Sequence, residues 1–188
     1  MKKIPTLFQR DPDNMSKVLP EVNLAAEWVL SGPAIATRKF DGTCIMLDPE
    51  GQWWARREVK PGKTPPVDYR AEETDANTGK TVGWEPIGQS SFVKAWHDAL
   101  GYVGPVELEP GTYELCGPKV NGNPEGFDRH TLIRHGCELI EEFPTDFDGI
   151  AELMRSGFPF EGVVWHHPLD GRMAKIKRRD FAPRRASP

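Results

Sequence analysis

Three cysteines in 188 residues, Cys44, Cys116 and Cys137, are too few and too widely spaced to build a disulfide scaffold. None belongs to a C-x-x-C pair, which argues against a cysteine zinc site and suits a reducing compartment. No apolar run approaches the length of a membrane span, so no membrane partner is expected. Met1-Lys2-Lys3-Ile4-Pro5 has positive charge but no apolar core behind it, so no signal peptide is expected and the location is read as cytoplasmic. Internal repeats are lacking too, as is any sequence signal for an obligate protein partner. A P-loop is also missing. Two Gly-Lys-Thr triplets begin at Gly62 and Gly79, but Arg57 and Thr74 stand where the leading glycine would have to be.

The composition is ordinary for a globular chain, 38% hydrophobic and 28% charged, and the length suits a single domain over 1–188. A net charge of −4 would by itself argue against nucleic acid, but the charge is unevenly spread. Arg172, Lys175, Lys177, Arg178, Arg179, Arg184 and Arg185 crowd the end of the chain against the single acid Asp180. Such an end can present a phosphate-binding face. Residues 182–188 are read as a flexible tail.

Along the chain, residues 1–30 read as an N-terminal extension, with a turn at Asp11-Pro12-Asp13-Asn14 and a short helix from Leu24 to Leu30 capped by Asn23. Strands are expected over Pro33 to Phe40, Thr43 to Leu47 and Gln52 to Val59, the last two joined at Asp48-Pro49-Glu50-Gly51. Lys60 to Thr81 has no periodicity and reads as a long loop. A helix over Ser91 to Leu100 follows, then strands at Gly111 to Gly117, Thr131 to His135 and Cys137 to Ile140, and a helix over Thr145 to Ser156 ended by Gly157. Glu161 to His166 and Arg172 to Arg178 close the chain as a hairpin. The fold class is α+β, a largely antiparallel sheet core with flanking helices. The pair His166-His167 could suggest metal, but neighbours on a strand point to opposite faces.

The chemistry gathers at Thr37-Arg38-Lys39-Phe40-Asp41-Gly42-Thr43. Strand alternation sends Lys39 and Asp41 the same way, and Gly42 lets the chain turn where a ligand or another backbone comes close. A lysine so placed is a candidate nucleophile if its surroundings favour the neutral amine. The stretch resembles the K-x-D-G motif of the covalent nucleotidyltransferases: DNA ligases, RNA ligases and capping enzymes. Further along stand Tyr113-Glu114-Leu115, then Glu161-Gly162-Val163-Val164, then Lys175-Ile176-Lys177, in the order of that superfamily's later motifs. The resemblance runs from Ala34 to Phe181. The residues around these motifs look most like the small vertebrate and viral-type 5′–3′ RNA ligases. DNA ligases and capping enzymes usually carry arginine where this chain has Cys44, and add an OB-fold domain that is not expected here.

The resemblance implies an ATP-dependent RNA ligase. Lys39 would take AMP from ATP, pass it to an RNA 5′-phosphate, and the domain would then direct attack by a 3′-hydroxyl. Glu161 would hold Mg²⁺ or Mn²⁺, and Lys175 and Lys177 would bind the α-phosphate and favour the neutral amine of Lys39 by repulsion. Phe40, Asp41, Gly42, Glu114 and Val163 would line the nucleotide, with Arg56 or Arg57 on phosphate or ribose. Lys119, Asn121, Arg178 and Arg179 are the candidates for RNA contact. The alternatives are a DNA ligase, a GTP-dependent capping guanylyltransferase, or an inactive binder of nucleic-acid ends. Geometry adds an expectation. For Glu161 and Val163 to share a face with Lys175 and Lys177, the hairpin between them needs an odd loop, taken as Leu169-Asp170-Gly171 with Gly171 at positive φ and Pro168 opposite Arg172.

Overall fold

The computed structural model describes residues 2–103 and 108–181, so Arg184, Arg185 and the expected tail lie outside the described residues. In chain order the strands are β1 (Phe8–Asp11), β2 (Asn14–Val22), β3 (Ile35–Lys39), β4 (Thr43–Leu47), β5 (Trp53–Val59), β6 (Arg70–Thr74), β7 (Thr81–Pro86), β8 (Gly111–Cys116), β9 (Thr131–Arg134), β10 (Gly162–His166) and β11 (Met173–Lys177). The helices are α1 (Trp28–Ser31), α2 (Val93–Leu100) and α3 (Phe147–Arg155). Antiparallel sheets with few helices make this an α+β fold. Among the described residues, no helix is long and apolar enough to cross a membrane.

The described residues form two compact units. One comprises the residues up to Lys3 and Asp41–His135, the other Ile4–Phe40 and the chain from Gly136 onward. The first is built on an antiparallel sheet in the order β6-β7-β5-β4-β8-β9. Ile45 faces Ala55 on one neighbour and Tyr113 on the other, so these residues share a face. They join Leu47, Leu115 and Val120 in a core that includes Ala95 and Ala99 of α2. The opposite face carries Cys44 opposite Glu114, and Arg56 opposite Trp84. Strand β6 lies inside the stretch expected to be a loop. Its sequence, Arg-Ala-Glu-Glu-Thr, has no apolar alternation to betray it, because it is an edge strand with mostly exposed side chains.

The second unit holds the three-stranded antiparallel sheet β11-β10-β3 and the hairpin β1-β2. That hairpin lies within the N-terminal extension expected over residues 1–30, where no strand was foreseen. Its turn was legible at Asp11–Asn14, but bulges between Phe8 and Asp11 blur the alternation that would mark the strands. The residues just before β1 pair in parallel with β11, through Leu7 N–H to Lys175 O at 2.9 Å. The expected helix from Leu24 to Leu30 is a 3₁₀ turn, capped by Asn23 Oδ1 as foreseen, followed by the short α1. Of the strand expected at Cys137 to Ile140, an isolated bridge between Thr37 and Leu139 is present. Helix α3 is capped by Asp146, whose carboxylate accepts the Gly149 amide at 2.8 Å, and it buries Ile150 and Met154 in one core with Val163, Trp165 and Ile176.

Candidate active site

Strand pairing sets the lysines. Gly162 faces Lys39 on β3 and Lys177 on β11, so the two lysines flank one glycine on the same face of the sheet. Lys175, opposite Val164, shares that face, as does Thr37 on β3. The glycine is required by proximity. A Cβ built on Gly162 would lie 2.1 Å from the Ile176 carbonyl oxygen and 2.8 Å from Lys177 Cα. Glu161, just before β10, places one carboxylate oxygen 2.5 Å from Lys39 Nζ and the other 2.5 Å from Lys177 Nζ. Lys39 Nζ also donates to the Phe40 carbonyl at 3.2 Å. All three charged side chains are largely buried. Burial pushes the Glu161 carboxyl up, and the charges and hydrogen bonds of Lys39 and Lys177 outweigh it, leaving the group below the ordinary glutamate value. Because the carboxylate stands between the lysines, it offsets the like-charge repulsion expected between them.

The expected register of this hairpin is overturned. Residues 167–172 separate the paired His166 and Met173, an even number, so even positions on β10 face odd positions on β11. His167, not Pro168, faces Arg172, donating to its carbonyl at 2.9 Å, although Gly171 does have positive φ. Val163 therefore lies opposite Ile176, fully buried in the core and turned away from the lysines; Val164 occupies the lysine face instead. Glu161 reaches the lysines even so, because it stands beyond the end of β10, where alternation no longer binds it. Phe40 is also buried, its ring carrying the Arg38 guanidinium at 4.1 Å, so its side chain packs and its carbonyl alone meets Lys39.

In the first unit, Gly42 and Glu114 come together. A Cβ on Gly42 would sit 2.3 Å from the Leu115 carbonyl oxygen, so only glycine allows this approach. The Gly42 amide donates to Glu114 Oε1 at 3.0 Å, and His135 Nε2 donates to the other carboxylate oxygen at 2.7 Å. Thr112 Oγ1 lies 2.9 Å from His135 Nδ1 and fixes the ring from behind. The Asp41 amide donates to Glu125 Oε1 at 2.7 Å, and Asn121 Nδ2 to the Gly42 carbonyl at 2.5 Å. Asp41 lies outside β3, so the alternation expected to align its side chain with Lys39 does not extend to it. Of the two arginines on β5, Arg56 shares the sheet face of Glu114. Arg57 is on the other face, 3.8 Å from Glu85. Lys119 is exposed in the loop after β8, in a run of positive φ with Asn121 and Asn123. Arg178 is turned to the Phe158 carbonyl at 2.9 Å, and Arg179 is exposed. Sequence reasoning missed His135 and Glu125. Neither stands in a motif, and their roles come from pairing between segments far apart in the chain.

Glu161 is the carboxylate of the lysine cluster, and among the described residues no group of three or more acids, histidines or cysteines could hold a metal ion. Two ammonium groups can bind an anion, and a lysine amine in its neutral form can attack an electrophile.

No family model matches the chain. It is similar to RNA ligase 1 of Rattus norvegicus and of Mus musculus, 27% identical to each over 77% of this chain and 66% of the relative. RNA ligase 1 of Pongo abelii is 24% identical over the same shares. The chain thus spans just under two thirds of the length of these relatives, and its similarity to proteins named RNA ligase runs through most of its own length.

Proposed function

We propose that this chain is an ATP-dependent RNA ligase of the covalent nucleotidyltransferase type. The observation that carries the reading is the convergence of Lys39 and Lys177 on Glu161 from either side of Gly162. It gathers a lysine, a carboxylate and a cation from three motifs separated in sequence, and the relatives named RNA ligase 1 support the substrate class.

In this reading the neutral Lys39 amine attacks the α-phosphorus of ATP. A P–N bond forms as the bond to the pyrophosphate oxygen breaks, and pyrophosphate leaves. Glu161 is the nearest acceptor for the Lys39 proton. Lys177 and Lys175, on the same sheet face, hold the α-phosphate. An oxygen of the RNA 5′-phosphate then displaces Lys39 from the adenylyl phosphorus. Finally the 3′-hydroxyl attacks the activated 5′-phosphorus, loses its proton and releases AMP. Glu114 takes the ribose, its orientation set by His135 and the Gly42 amide. Arg56 is preferred to Arg57 for phosphate or ribose, and Val164 replaces Val163 as the apolar contact.

Magnesium fits through its water shell rather than directly. It favours one or two carboxylates plus substrate phosphates, and both Glu161 oxygens already take a lysine. Bound there, it would supply charge neutralisation on the phosphates. The experiment is incubation with ATP or GTP labelled in the α-phosphate. ATP label surviving denaturing electrophoresis, and lost in Lys39→Ala, supports the ligase; label from GTP alone points to a capping enzyme, and no label to a binder. Sealing of nicked duplex DNA in preference to RNA ends would sink the RNA assignment.

A further inference from the structure

An open cavity of about 610 Å³ lies wholly within the first unit, between the end of α2 and the loop that leads into β9. Its volume is in the range of small-ligand sites. It is separate in composition from both clusters above. Tyr102 stands at its wall, 62% exposed, with the Arg129 guanidinium 5.1 Å from the ring centroid. Asp98 and Asp128 bring carboxylates to the same cavity. The walls are tied to each other. His130 Nε2 donates to the Pro118 carbonyl at 2.7 Å, and its Nδ1 lies 3.4 Å from Asp98 Oδ2. His130 thus sits between the end of α2 and the loop, bonded to one and beside the other.

These groups select a ligand class. Two carboxylates disfavour a phosphate, while a tyrosine ring and a guanidinium plane offer stacking surfaces to a flat ring. Carboxylates accept hydrogen bonds, so the ring must carry N–H donors. Among RNA bases, guanine presents N1–H and the exocyclic amino group side by side, the pair that one carboxylate can accept together. Adenine and cytosine offer an amino group, and uracil offers a lone N3–H. The loop that forms one wall also carries Lys119 and Asn121, two of the candidates for RNA contact.

We infer that this cavity is a subsite for one unpaired base of the RNA strand, stacked on Tyr102 and Arg129, read by Asp98 and Asp128, and favouring guanine. The inference rests on the RNA-ligase reading for its partner, but its test does not depend on catalysis. A short dye-labelled oligouridylate and the same oligomer with one central guanosine are titrated against the full chain and followed by fluorescence anisotropy. The guanosine oligomer is expected to bind on the order of tenfold tighter. Asp128→Asn should bring it to the uridylate level. Tyr102→Ala should weaken both by roughly tenfold, and Tyr102→Phe should not, because the ring is retained. ATP labelling of Lys39 in Tyr102→Ala serves as the folding control; should it fail, Asp128→Asn and Tyr102→Phe decide. Equal binding of the two oligomers by the wild-type protein, or unchanged binding by Tyr102→Ala, overturns the subsite. So does guanosine monophosphate competing as well as the whole oligomer, since the cavity would then serve a free nucleotide. Loss of ATP labelling in the wild type would defeat the ligase reading and leave these binding results to judge the subsite alone.

Discussion

Gly162→Ala should damage chemistry as well as stability. The new methyl would lie 2.1 Å from the Ile176 carbonyl oxygen, where real contacts do not fall below 3.0 Å. Both atoms it meets most closely are backbone, so no side-chain rotation relieves the clash. Strand β11 must retreat by on the order of 1 Å, and Lys177, the residue opposite Gly162, retreats with it. Overpacking of this kind costs about 1–3 kcal/mol. With a urea slope of about 1–3 kcal/mol per molar, the unfolding midpoint should fall by about 1 M. A misplacement of about 1 Å at the reacting groups can cost about 100-fold in rate. The assay pairs urea unfolding followed by circular dichroism with the initial rate of Lys39 labelling by ATP, both at a temperature where the variant is folded. Val163→Ala is the control, since it should lose about 2 kcal/mol by emptying the core and yet keep Lys177 in place. Equal labelling by Gly162→Ala and wild type would refute the argument, as would a rate loss in Val163→Ala as large as that in Gly162→Ala.

Other outcomes follow from the same geometry. Lys39→Arg keeps a cation beside Glu161 but cannot form the adduct, so it should lose all label with an unfolding midpoint close to wild type. The Glu161 carboxyl titrates below its ordinary value in the folded protein, so its contribution to stability is present above the ordinary glutamate pKa and lost as pH falls through the folded one. The stability gap between wild type and Glu161→Gln, measured by urea unfolding, should therefore narrow on acidification below the ordinary value. His135→Ala removes one of the two hydrogen bonds that hold Glu114 and should raise the KM for ATP by roughly tenfold with a smaller change in kcat. Val164→Ala should likewise act on the KM for ATP, while Val163→Ala acts on stability.

The parts of the site that lie within one strand were legible in the sequence. Lys39 at the end of β3, Lys175 and Lys177 on β11 and Glu114 on β8 all stand on the elements expected for them, because each motif is local and its alternation is short-ranged. Register between strands was not legible. It depends on the length and path of 167–172, where an Asp-Gly pair suggested a short turn and a longer connection formed; one residue of difference sent Val163 to the core. Elements without an apolar signature were missed for a related reason. Strand β6 is held by pairing with β7, and His135 acquires its role from Thr112 and Glu114, none of which a local window contains.

The central claim is that the Lys39 side chain forms a covalent bond to the α-phosphate of ATP, and peptide mapping tests it most directly. The protein is incubated with ATP and Mg²⁺, denatured, digested at neutral pH and analysed by tandem mass spectrometry. One AMP adduct is expected, on the Nζ of Lys39, lost on acid treatment as a phosphoramidate should be and discharged when an RNA with a 5′-phosphate is added before denaturation. An adduct on another residue, or a folded protein with no adduct at all, would contradict the account.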